Sequence, residues 1–169
     1  MMLCSRTVWL RLSADLKSRQ SQIDRLSVSL EEPLRIHHPE LQLKMHRLMH
    51  LVRASATAFQ LLVDRAHPLK LDDDNIQALF AQPDFADAAR AYDASRAAIT
   101  HELQLWEPSE SAKCDAHVEM ALSLFRQCEA LESDQARALS LCQLQLWVWD
   151  GVLHYTGEPA DATSSETGA

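Results

Sequence analysis

The strongest constraint on this chain is where glycine is missing. Of 169 residues only three are glycine, Gly151, Gly157 and Gly168, so none precedes position 151. Phosphate-cradling loops and tight hairpin turns need glycine where the backbone takes positive φ or approaches a ligand closely. Walker A loops, dinucleotide fingerprints and glycine-turned hairpins are therefore excluded from the body of the chain. With 47% hydrophobic and 24% charged residues, what remains is an ordinary globular composition that must fold with helices. The length fits one domain. We expect an all-α bundle of about five longer antiparallel helices plus one short helix over residues 1–155.

Apolar spacing places the helices. Trp9, Leu12, Leu16, Arg19, Ile23, Leu26 and Leu30 recur at steps of three and four, one face of a first helix with Arg19 as its polar member. Glu31-Glu32-Pro33 is expected to end it, because the residue before proline disfavours the helical region. A connector of about seven or eight residues through His37-His38 then leads to Pro39, suited to the first turn of a second helix. Leu41, Met45, Leu48, Val52, Ser55, Phe59, Leu62 and Ala66 form that helix's stripe, closed by Pro68. Asp72-Asp73-Asp74 caps a short helix through Leu79 and Phe80. Pro83 opens an alanine-rich helix whose inward face is Phe85, Ala88, Ala89, Tyr92, Ile99, Leu103 and Trp106.

From Cys114 to Leu153 one four-three phase persists. A single helix over 109–155 would be roughly 70 Å long, against a radius of gyration of about 15 Å for a compact chain of this size. The polar Glu132-Ser133-Asp134-Gln135 is the expected place to turn into a hairpin. Leu144, Leu146 and Val148 also alternate with Gln143, Gln145, Trp147 and Trp149 at a strand-like period of two, but the longer helical stripe outweighs it. Residues 156–169, small, polar and acidic, read as a disordered tail.

The formal charge of −8 hides a division. Residues 1–70 hold eleven Lys/Arg against six Asp/Glu, while the remainder holds five against eighteen. Either the basic half packs against the acidic half, or it faces an acidic partner. Of the four cysteines, none stands at Cys-x-x-Cys spacing, and Cys114, Cys128 and Cys142 fall on apolar stripes. With no disulfide framework and no apolar run of membrane-spanning length, the expectation is a cytoplasmic protein without a membrane segment.

Candidate chemistry is sparse. His46-x-x-x-His50 puts two imidazoles on one helical face, with His37, His38 and Glu40 as conceivable further ligands. Arg47 opposes a cation there, so no metal or other cofactor is expected. Arg96-Ala-Ala-Ile-Thr-His101 resembles the arginine-x4-histidine pattern of the helical-bundle ribonucleases of the HEPN superfamily. That resemblance covers six residues and implies His101 as general acid or base and Arg96 as the stabiliser of phosphorane charge. It departs from the pattern in placing Ala97 directly after the arginine. Against it stands Arg96 as a snorkelling residue beside the stripe.

The expectation carried forward is a small non-catalytic interaction protein: a regulator, adaptor or accessory subunit of a larger complex of bacterial type. Its contact residues are Lys44, Arg47, His50 and Arg53 on the basic hairpin, and Trp147 and Trp149, which cannot both face one core. The partner is another protein, with nucleic acid along residues 6–53 the alternative. Self-association stays open.

Overall fold

A computed structural model describes residues 6–66 and 73–141. Every regular element among them is a helix: α1 (Arg6–His37), α2 (Pro39–Ala66), α3 (Asp73–Phe80), α4 (Pro83–Gln104) and α5 (Ala116–Leu141). The all-α bundle expected from the apolar spacing is the observed fold. The expected continuation through 142–155 and the tail at 156–169 lie outside the described residues.

The first helix does not stop at Pro33. α1 runs through it to His37, because the stripe resumes on the far side: Leu30 and Leu34 are both fully buried. An interior proline costs a helix about 3 kcal/mol. Burying one leucine contributes about 1.5–3 kcal/mol, so Leu34 offsets most of it. The connector consequently shrinks to one residue, His38. Its N–H donates to Leu34 O at 2.6 Å and its own carbonyl accepts from Gln42 N–H at 3.0 Å, closing one helix and opening the next. Proline at the first position of α2 lacks only an N–H that would have had no helical partner.

α2 is the central element. It buries Met45, Leu48, Met49, Val52, Ser55, Ala58, Phe59, Leu62, Val63 and Ala66, and packs against α1, α4 and α5. Its most extensive neighbour is α4, where Ala88 and Ala89 let the helix axes come close and Phe59 meets Tyr92 at 5.8 Å between ring centroids. α3 covers one end of α4 through an edge-to-face contact of Phe80 with Phe85. α1 lies on the other side, against α5, and Trp106 stacks on Phe125 at 4.7 Å where the chain leaves α4.

The turn expected at Ser133-Asp134 is also absent, and α5 is continuous to Leu141. At about 39 Å it fits the domain. The polar residues that suggested a turn are ties to three other helices. Arg96 Nε of α4 donates to Glu132 Oε1 at 3.0 Å. Arg19 of α1 pairs with Asp134. Ser55 Oγ of α2 donates to Gln135 Oε1 at 3.4 Å, with both side chains buried. Cys128 is buried in the same helix, where burial, with Asp24 adding to it, pushes its thiol up to about 12. Cys114, expected on the stripe, is exposed ahead of the helix. No helix among the described residues is long and apolar enough to cross a membrane.

Candidate functional site

Of the expected contact residues, Arg47, His50 and Arg53 lie exposed on α2. Leu43, His46, Arg47, His50, Arg53 and Thr57 are exposed and recur at helical spacing, opposite the face that packs on α4. Leu43 is 59% exposed although apolar. Lys44 is half-buried at the edge, its Nζ 3.5 Å from Leu105 O at the end of α4. His46 and His50 are one turn apart and both exposed. Among the described residues no three or more His, Cys, Asp or Glu side chains are grouped to hold a metal ion.

The charge division is partly neutralised within the fold. Arg19 pairs with Asp134 and Arg65 with Asp84 at 2.7 Å, each joining the basic half to the acidic half. Arg53 Nε donates instead to Asp24 on neighbouring α1 at 3.1 Å. Arg47, by contrast, makes no ion pair among the described residues, and neither do the exposed Arg11, Lys17, Arg25 and Arg35. Trp147 and Trp149 lie outside the described residues.

Arg96 and His101 are not brought together. Five residues on a helix separate two side chains by about 140°. His101 is exposed in the last turn of α4, while Arg96 is half-buried against Glu132 and lies 5.7 Å from the Tyr92 ring centroid. Burial drives the Tyr92 phenol well above its ordinary range, with the Arg96 charge acting in the opposite direction.

Among the described residues a further polar cluster joins positions that no local spacing connects. At the α1–α2 corner, His38 Nε2 stands 3.0 Å from Asp115 Oδ2, and His117 Nδ1 lies 3.3 Å from Asp115 Oδ1. Asp115 caps α5: its Oδ1 accepts from His117 N–H at 2.7 Å and its carbonyl accepts from Glu119 N–H at 3.0 Å. The His37 ring stacks on His117 at 5.6 Å. The hydrogen bond from His38, then that from the His117 backbone, hold the Asp115 carboxyl down at about 2. Beside this corner lies a cavity of about 390 Å³ lined in part by His37, Lys44, Trp106 and Ser109. An acid preceding a helix start is a legible cap. Its partner His38 is 77 residues away, and no local signal joins them.

No protein family, curated protein or solved structure matches the chain.

Proposed function

We propose that this chain is a non-catalytic helical interaction protein whose exposed α2 face engages an acidic protein partner. One observation carries the reading. Arg47, flanked by His46, His50 and the exposed Leu43, holds no carboxylate among the described residues, whereas Arg19, Arg53, Arg65 and Arg96 each hold one. An exposed apolar side chain with basic groups along the following turns of its helix suits an interface: the apolar contact supplies affinity and the charges supply orientation and rate. Lys44 and Arg53 flank this surface, with part of their donor capacity used inside the fold.

The test replaces Arg47 and His50 by Glu in the full-length chain, leaving the Arg53–Asp24 pair intact. Wild type should retain a stoichiometric protein on affinity capture from the native host, with binding that weakens as salt rises. The double variant should lose it while keeping its helical circular dichroism. Retention of the same protein by the variant would remove α2 from the interface. Captured nucleic acid, with a steep salt dependence set by the phosphates neutralised, would replace this reading by the nucleic-acid one.

A further inference from the structure

The contact face of α2 continues into a groove against α1. A pocket of about 220 Å³ opens there, floored by Leu34, Met45 and Met49 and walled on the α1 side by Val28. Val28 is 63% exposed, and Leu43, next to the groove-lining Gln42, is exposed as well. The volume is below the range of about 300–1,000 Å³ that encloses a small molecule. It matches instead one large apolar side chain, the kind of anchor that carries most of an interface's energy. Methionine suits such a floor, because its unbranched thioether adapts to what is laid on it. The charges beside the groove are sorted by helix. Glu31 lines it from α1, and neither Glu31 nor the adjacent Glu32 makes an ion pair among the described residues. His46 and Arg53 line it from α2, with Arg47 alongside.

We propose that this groove seats one helix of the acidic partner, with an apolar anchor over Met45 and Met49, carboxylates facing His46 and Arg47, and a basic residue facing Glu31. The proposal rests on the reading of α2 as the contact face and adds the form of what binds there. Two observations exclude other modes of recognition. No strand among the described residues offers an edge for an extended segment to join. No aromatic side chain lines the groove, as recognition of a proline-rich segment requires. The antiparallel α1 and α2, tied by Ser13–Gln60 and Asp24–Arg53, leave between them a trough into which the ridge of a third helix packs. The opposite signs on its two walls call for a helix with opposite signs on its two flanks, so charge complementarity fixes the occupant's chemistry.

Fluorescence anisotropy of a labelled synthetic helix with the full-length chain tests this. The probe is about 18 residues, roughly five turns, with a leucine seam, glutamates on one flank and lysines on the other. Wild type should bind it about tenfold more tightly than a shuffled peptide of equal composition. Val28→Lys, at an exposed site, should weaken binding about tenfold with helicity unchanged. Glu31→Lys should weaken it severalfold, and a probe with glutamates on both flanks should restore it. Equal binding of the shuffled peptide overturns the proposal, as does indifference to Val28→Lys and Glu31→Lys. If Arg47→Glu/His50→Glu weakens the probe while those two α1 variants do not, the α2 face stands and the groove alone falls. Indifference to Arg47→Glu/His50→Glu overturns both. If Val28→Lys does not fold, Glu31→Lys and its rescue decide. A chain that binds no probe but dimerises, and becomes monomeric with Glu31→Lys, assigns the groove to a second copy and overturns the proposal too.

Discussion

α1 and α2 are neighbours of similar length built on similar apolar spacing, yet they do different work. Among its described side chains α1 buries only Leu16, Ile23, Leu30 and Leu34, mostly one per seven residues, a narrow seam that serves two neighbouring helices. α2 buries ten residues on a broad face, at positions such as Leu48-Met49 and Leu62-Val63 as well as the stripe, and so touches three helices. The width of the apolar face, more than its period, decides whether a helix is central or peripheral. The narrower helix also carries the interior proline, because a seam helix can lose one hydrogen bond without losing its core contacts.

The largest test of that contrast is truncation. Leu62→Ala in α2, where the leucine is 1% exposed, should cost about 3–5 kcal/mol by chemical denaturation. Leu16→Ala in α1, on an open surface groove and 9% exposed, should cost about 2 kcal/mol or less, since no sealed cavity forms. Equal losses would break the distinction between a central and a peripheral helix.

Pro33→Ala should act in the opposite direction and raise stability by about 1–3 kcal/mol, by restoring the bond to Ser29 O and removing the ring clash. A fall in melting temperature would show instead that the proline sets the direction from which His38 reaches Asp115.

The corner joining the two helices should respond to acid. Asp115 is depressed from 3.8 to about 2 in the folded chain, so the stability it contributes is complete above about 4 and disappears as pH falls through about 2. Thermal melts across that window should show the wild type converging on Asp115→Asn, whose side chain keeps a capping oxygen but no charge. A constant gap between the two would place the depression elsewhere.

The smallest effect belongs to the surface. Arg90→Ala removes an exposed pair with Asp87 and should change stability by less than about 0.5 kcal/mol. Arg96→Ala, which strips the half-buried Glu132 of its donor, should cost more, about 1–3 kcal/mol.

Much of this architecture was legible because it depends on local spacing. The absence of glycine and the three-four stripes determine an all-α fold, and Leu48, Val52, Phe59, Leu62, Phe85, Ala89 and Tyr92 are buried as their positions predict. Pro39 and Pro83 open helices where their fixed φ and missing N–H allow it. What local spacing does not contain is the partner of a polar residue. Glu132, Asp134 and Gln135 carry the composition of a turn, yet α5 runs through them, with Leu131 and Ala138 buried on either side and the polar groups held by Arg96, Arg19 and Ser55. Pro33 reads as a stop until the buried Leu34 outweighs it, and Arg96 reads as half of a catalytic pair until Glu132 takes it. Likewise the exposed face of α2 is visible as a polar stripe, but which of its cations keep a carboxylate is decided by neighbours on other helices. Burial periodicity is a property of one helix and is written in its sequence. The satisfaction of a buried or half-buried polar group is a property of two, so it emerges only when tertiary packing brings the second one within hydrogen-bond distance.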